Sequence, residues 1–247
     1  MTEVEKVNPY EGDNRSKKEQ VAAMFDAIAP SYDFMNRAMT FGLDRLWLRA
    51  LLKKARAAMP GDIIDLATGT GDVAFALADK LPKAQIKGLD ISEGMLEKAR
   101  RRAENTSLAQ RMSFQCADCL ATGLPNGCTD LITVAYGVRN FADIEGGYRE
   151  MFRLLRPGGM LAVLELSRPV NPIVKAGYTV YTRALIPLVG RLVSGDSSAY
   201  SYLLDSIAAA PAGPAMCAIM ERAGFKDVSF KRLTLGVCTL YTAYKKN

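Results

Sequence analysis

The chain has 247 residues, of which 32 are basic and 26 acidic, for a formal charge of +6; it contains no histidine. A length of this order suits one large domain that buries a sizeable core, and 49% hydrophobic residues exclude disorder over most of it. Without imidazole, Ser-His-Asp and Cys-His machineries and histidine-ligated metals are excluded, so proton transfer falls to Asp, Glu, Tyr, Lys, Cys or water.

Five cysteines, and a charged segment over residues 1–20 without a secretory apolar core, predict a reduced, cytoplasmic setting without disulfides. The positive charge alone fits nucleic acid, an anionic membrane surface or plain solubility.

In chain order, residues 19–52 carry a helical pattern, with Val21, Met24, Phe25 and Ile28 on one face. Pro30 interrupts it, so two or more helices are expected. Pro60-Gly61 closes this region, and 63–66 is a short buried strand. Helix 73–79, strand 85–89, helix 94–103 and strands 112–116 and 131–135 follow. Helix 146–155 then turns through Pro157-Gly158-Gly159 into strand 160–165. Alternating β and α elements with short Gly-rich joints predict a parallel sheet with helices on both faces. Residues 169–196 break the rhythm. They are apolar and aromatic, but Lys175, Arg183, Pro187 and Arg191 interrupt them, which predicts an inserted helical lid rather than a membrane span. Two strands, 228–233 and 238–244, close the chain.

The strongest motif is Asp65-Leu66-Ala67-Thr68-Gly69-Thr70-Gly71-Asp72, a strand end turning into a helix. Gly69 and Gly71 permit a tight turn with a ligand against the backbone. Asp90 ends the next strand about 20 residues later, where an acidic side chain meets a ribose in such folds. A dinucleotide would use Gly69-x-Gly71-x-x-Ala74; S-adenosylmethionine would use the same turn without a pyrophosphate. Asp72 at the helix start disfavours a diphosphate, Asp65 suits an ammonium group, and Asp118 after the third strand suits an adenine amino group. The bland alternative is that these aspartates cap turns and helices. Three acidic residues after successive strands favour the cationic cofactor.

Larger blocks carry a resemblance. They are Met24-Phe25-Asp26-x-Ile28-Ala29-x-x-Tyr32-Asp33-x-Met35-Asn36, Phe41-Gly42-x-Asp44-Arg45-x-Trp47, and Asp90-Ile91-Ser92-x-Gly94-Met95-Leu96. Tyr136-Gly137-Val138-Arg139-Asn140, Leu155-Arg156-Pro157-Gly158-Gly159, Leu164-Glu165-Leu166-Ser167 and Tyr200-x-Tyr202-Leu203-x-x-Ser206-Ile207 complete them. With these the chain resembles the ubiquinone/menaquinone biosynthesis C-methyltransferases from Val21 onward.

The resemblance implies a single class I S-adenosylmethionine-dependent methyltransferase domain over 1–247. Its Rossmann-like, seven-stranded, mostly parallel sheet would have a reversed final strand, a helical substrate-side extension over 1–58 and a helical lid over 169–207. It implies methylation of a ring carbon on a prenylated quinol, with demethylmenaquinol preferred and the ubiquinone-type benzoquinol as alternative. Thr70 and Asp90 would contact the cofactor, with Asp118 and Cys119 against its adenine and Ala135 offering only backbone. The family's usual C-terminal histidine is replaced by Tyr241.

Carbon methylation needs alignment and an electron-rich carbon. We expect Arg139 to lie over the quinol oxygen and lower its pKa, with Asn140 and Tyr32 fixing ring oxygens and Asp33 as a weaker proton acceptor. Arg139 capping the sheet edge or pairing with Asp143 is the competing structural role. No metal site is expected, since Cys116-x-x-Cys119 lacks a second pair or a histidine. Trp47, Tyr32 and Phe34, with the lid, would line a tunnel for the prenyl tail, although core packing is the commoner fate of such residues. A lipid-borne substrate also gives the charge a use, with Lys175, Arg183 and Arg191 as first candidates for membrane-surface contact. Nucleic acid is not expected as a partner, a homodimer is left open, and an RNA or protein methyltransferase or a non-catalytic cofactor-binding scaffold are the competing functions.

Overall fold

The computed structural model describes residues 1–104, 106–193 and 197–246 and, within them, all side chains except those of 183–193 and 197. Seven strands form one sheet: β1 (Asp62–Leu66), β2 (Gln85–Asp90), β3 (Met112–Cys116), β4 (Thr129–Ala135), β5 (Leu155–Leu166), β6 (Lys226–Leu233) and β7 (Cys238–Tyr244). Their order is β3-β2-β1-β4-β5-β7-β6, with β7 antiparallel to both neighbours and the other pairings parallel. The expected parallel sheet with a reversed final strand is therefore present.

The central strands are short and apolar because both faces are covered. Ile63, Ile64 and Leu66 of β1 are all buried, Ile63 in one core and Ile64 with Leu66 in the other. Around the sheet lie α1 (Lys17–Ile28), α2 (Tyr32–Thr40), α3 (Asp44–Ala58), α4 (Asp72–Lys80), α5 (Glu93–Glu104) and α6 (Ile144–Leu154). Three more helices, α7 (Pro172–Val193), α8 (Ser197–Ala209) and α9 (Pro214–Arg222), separate β5 from β6.

Most elements fall within a few residues of the sequence expectation, and three differ. β5 starts at Leu155, so Pro157-Gly158-Gly159 lies inside a bulged strand rather than in a turn before it. Gly158 takes φ +82°, its N–H donates to the Lys245 carbonyl, and the Lys245 N–H donates to Gly159. That exchange extends the edge pairing with the chain's end. Helix α9 was not expected. Nor was the single turn Glu3–Lys6, which buries Val4 in the main core, while the Glu5 carboxylate accepts from the Ile144 N–H at 2.9 Å. The charged N-terminus is thereby fastened to the first turn of α6, where a carboxylate complements the helix dipole.

Pro30 separates α1 from α2, as expected, and α1 opens on a capping box of Ser16 and Glu19. α8 packs Ala199 and Tyr202 against Val21 and Met24 of α1, while Tyr200 meets Met35 of α2. The helices before the sheet and those after β5 thus meet above the ends of β1 and β4.

Candidate active site

The strand order reverses between β1 and β4, and ligands in open α/β sheets bind in the crevice outside the strand ends at such a point. Two adjoining cavities occupy it. One, of about 70 Å³, is lined by Asp90, Ile91, Met95, Asp118, Cys119 and Phe141 among others. The second, of about 190 Å³, runs from Asp65, Thr68 and Thr70 to Met35, Trp47, Arg139, Tyr178 and Tyr202. Tyr32, Gly69, Ala135, Tyr136 and Asn140 line both.

Two loops meet here in left-handed backbone. Ala67 after β1 has φ +52° and Tyr136 after β4 has φ +60°. A Cβ on Gly137 would stand 2.5 Å from the Ala67 Cβ, so only glycine lets the loops approach this closely. Gly69, at φ +55°, donates its N–H to the Asp90 carboxylate at 2.7 Å, and a Cβ there would face the Tyr32 ring at 3.9 Å. Gly71 serves packing instead: it lies behind the turn, at φ +87°, close against Phe75 and Phe114.

The expected acidic residues divide by environment. Asp65 is buried, and its carboxylate accepts from the Thr68 and Thr133 hydroxyls, both at 2.6 Å. Burial pushes its pKa up to about 6. Burial also raises that of Asp90, which accepts from the backbone N–H groups of Gly69 and Ser92. Asp118 pairs with Lys18 at 2.9 Å and accepts from the Leu120 N–H. The Cys119 thiol is buried and its pKa is raised by that burial, so it is a neutral wall.

Two details differ from expectation. Asp72 pairs with Arg102 at 2.5 Å, so its charge at the start of α4 is largely met and weighs less against a diphosphate than its position implied. The Thr70 hydroxyl donates to Asp33 at 2.6 Å, leaving its backbone as the free contact.

In the larger cavity, Arg139 pairs with Glu165 at 2.7 Å and not with Asp143, which instead caps α6 by accepting from the Gly146 N–H. Burial opposes the guanidinium charge, yet Glu165 outweighs it and holds the Arg139 pKa above its ordinary value. The Arg139 backbone N–H also donates to Glu165, at 3.2 Å, and a guanidinium N–H donates to the Tyr136 carbonyl. Its Nε is buried, without a partner among the described residues. Beside it, the Tyr202 hydroxyl donates to Asn140 Oδ1 at 3.1 Å. Burial raises the phenols of Tyr32, Tyr178 and Tyr202, so all three stay protonated donors near neutral pH.

Trp47 lines the larger cavity as expected, with its indole N–H donating to Thr234 at 2.7 Å. Phe34 points outward, 63% exposed, and does not line it.

Sequence reasoning missed two residues. Glu165 closes the β5 strand and fixes Arg139 from the neighbouring strand. Asp26 on α1 accepts from the Ser92 hydroxyl at 2.6 Å and the Gly94 N–H at 2.9 Å, capping the start of α5. Both lay within quoted motifs, but nothing local says which partner each will meet.

The model of the ubiE/COQ5 methyltransferase family matches residues 13–245. The chain is 44% identical over 241 residues to a demethylmenaquinone methyltransferase of Bacteroides fragilis, covering 98% of each. It is 41% identical to the ubiquinone/menaquinone biosynthesis C-methyltransferase UbiE of Geotalea daltonii, covering 93% of this chain and 97% of the other. In fold it is similar to an O-methyltransferase family protein from Burkholderia thailandensis, with TM-score 0.63, 18% identity and coverage of 87% of this chain and 59% of that one.

Proposed function

The chain belongs to the ubiE/COQ5 methyltransferase family, and we propose that it methylates a ring carbon of a prenylated quinol with S-adenosylmethionine, converting demethylmenaquinol to menaquinol. The observation that carries this reading is the pair of joined cavities: an acid-rimmed one at the switch point and a larger, aromatic one that meets it at Gly69 and Tyr32.

The residues present fit the cofactor. Asp65 offers a buried carboxylate for an ammonium group, Asp90 an acceptor for ribose hydroxyls, and Asp118 an acceptor at the rim for an adenine amino group. Met95, Cys119 and Phe141 form apolar walls between which a purine can lie, and the bare Gly137 keeps the approach to Ala67 open. When bound, S-adenosylmethionine supplies a methyl carbon activated by its sulfonium leaving group.

The chain's own task is to hold the ring in line and enrich its carbon with electrons. A free phenol titrates near pH ~10, so stabilising the phenolate is where the protein gains most. Arg139 carries a permanent charge, is oriented by Glu165, and lines the cavity in which the ring oxygen would lie. Tyr32 and Asn140, which face both cavities, are placed to fix the ring; Asn140 is itself oriented by Tyr202. None of the buried phenols can take the ring proton, which leaves water or Asp33 on the cavity wall as acceptor. The prenyl tail would follow Met35, Met39, Leu48 and Tyr181 outward.

The test presents purified protein and methyl-labelled cofactor with two reduced substrates, a demethylnaphthoquinol and a ubiquinone-type benzoquinol. Carbon-bound label on the naphthoquinol supports the reading. Label on the benzoquinol alone replaces it with the second reading, for which the similarity to the ubiquinone/menaquinone enzyme of Geotalea daltonii leaves room. Cofactor binding without transfer to either ring would leave only a scaffold.

A further inference from the structure

We propose that the outer rim of the larger cavity is a docking face for an anionic lipid bilayer, into which Phe41 and Leu235 insert. The inference rests on the quinol reading for its purpose, but on the molecule's surface for its evidence.

Among the described residues, ten large apolar side chains are exposed, and six of them, Phe41, Leu46, Val170, Ile173, Val180 and Leu235, sit on segments that wall this cavity. Phe41 follows the lining residue Thr40, Leu46 precedes Trp47, Val180 precedes Tyr181, and Leu235 lies two residues before Val237. Contacts tie these segments into one face. The Phe41 ring meets Tyr181 of α7 at 5.7 Å, Trp47 bonds to Thr234, and a Cβ on Gly236 would lie 3.5 Å from the Pro169 Cα. Isolated exposed apolar residues need no explanation, but a group around one opening does.

Backbone conformation sharpens the point. Phe41 and Leu235 have φ +50° and +55°, where glycine or asparagine is favoured and a bulky apolar side chain is not. They are 71% and 73% exposed, so little packing within the chain offsets that preference. A covering apolar phase accounts for both.

Charge selects the phase. Residues 32–59 and 168–193 hold ten of the 32 basic side chains and only two of the 26 acidic ones, which is more than the chain's whole excess of +6. Arg37, Arg45, Arg49, Arg168 and Lys175 form no salt bridge with any described carboxylate, whereas most arginines outside these two segments, such as Arg102 and Arg156, do. Unpaired cations around exposed apolar tips match anionic headgroups over acyl chains. No single described helix is long and apolar enough to cross a membrane, so the contact is with its surface. Of the cations expected earlier, Lys175 is exposed, and the side chains of Arg183 and Arg191 lie outside those described.

The test is co-sedimentation of the full chain with phosphatidylcholine vesicles, with and without about a third phosphatidylglycerol. Wild type should bind only the anionic vesicles. Arg45→Gln with Arg49→Gln should weaken that binding by roughly fivefold per cation, and Phe41→Asn with Leu235→Asn by at least roughly tenfold. Asparagine tolerates the left-handed backbone, so the latter variant should keep its melting midpoint and its turnover of a short-tailed, water-soluble quinol. No binding by wild type, or equal binding by both variants, overturns the proposal. So does a wild-type dimer in sedimentation velocity that Phe41→Asn with Leu235→Asn makes monomeric, because a second copy then covers the face. Vesicle binding by a protein that methylates no quinol would uphold this surface and defeat the catalytic reading instead.

Discussion

Arg139 and Glu165 form a buried ion pair, 2.7 Å from Nη1 to Oε1, with both side chains at most 7% exposed. Glu165 lies on β5, one residue beyond the Ala135–Leu164 register pair, and Arg139 on the single 3-10 turn Val138–Asn140 that follows its parallel neighbour β4. The ladder therefore sets their spacing before any substrate arrives. Glu165→Gln keeps the shape and removes the charge, leaving Arg139 uncompensated in a dry site. Loss of one partner of such a pair costs about 3–5 kcal/mol, which a urea titration will show as a lower midpoint. Turnover should fall with it, while cofactor affinity, which we assign to Asp65 and Asp90, stays within about twofold.

If Asp65 holds the cofactor's ammonium group, as proposed, cofactor binding is pH-dependent. Its folded pKa, about 6, stands above the ordinary 3.8. The stability gained from its protonated form is thus complete below about pH 4 and lost as pH rises through about 6, a difference on the order of 3 kcal/mol. Asp65→Asn should raise the melting midpoint at neutral pH and approach wild type in acid. An ammonium group needs the ionised form, so S-adenosylmethionine affinity measured by calorimetry should fall from about pH 8 to about pH 5 in wild type. A flat profile would remove Asp65 from the cofactor site.

Ala67 and Gly137 are coupled by space. Gly137→Ala alone sets two Cβ atoms 2.5 Å apart and should abolish cofactor binding. Ala67→Gly alone relieves a left-handed alanine, at φ +52°, a strain of roughly 1–2 kcal/mol that outweighs the roughly 0.4–1 kcal/mol of added unfolded-state entropy, so it should stabilise by up to about 1 kcal/mol. The double variant removes the clash and should recover most of the affinity. Additive effects in the double-mutant cycle would contradict this geometry.

Asp26 links α1 to the start of α5, across the rim of the smaller cavity. Asp26→Ala leaves the Gly94 N–H without its cap, worth typically about 1 kcal/mol. The expected result is faster cofactor dissociation in stopped flow, with turnover at saturating cofactor little changed.

The strands and the glycine turn were legible because their signals are local. Met112–Cys116 and Cys238–Tyr244 have the expected bounds, and Gly69, Asp90 and Asp118 meet at the crevice that strand alternation implied. The missing pieces depend on distant partners. Glu5 acquires its role from Ile144, 139 residues away, and Asp26 from Gly94, 68 residues away. The entry to β5 looked like a turn because Pro157-Gly158-Gly159 is turn chemistry, and pairing of Leu155 with Thr129 on one side and of the glycines with Lys245 on the other keeps it in the sheet. Helix α9 follows small residues without apolar periodicity, although Gly213-Pro214 marks its start, with proline in the first turn. Arg139 was identified by its motif, and its partner on the next strand became evident only once the sheet was assembled.

The most direct test of the central claim is single-turnover methyl transfer to demethylmenaquinol, followed across pH in wild type and Arg139→Lys. If Arg139 stabilises the phenolate, the lysine variant will fold, bind S-adenosylmethionine as wild type does, and lose on the order of a hundredfold in rate, with the loss shrinking as pH rises toward the phenol's own pKa. A rate equal to wild type at every pH would show that Arg139 does not act on the ring oxygen.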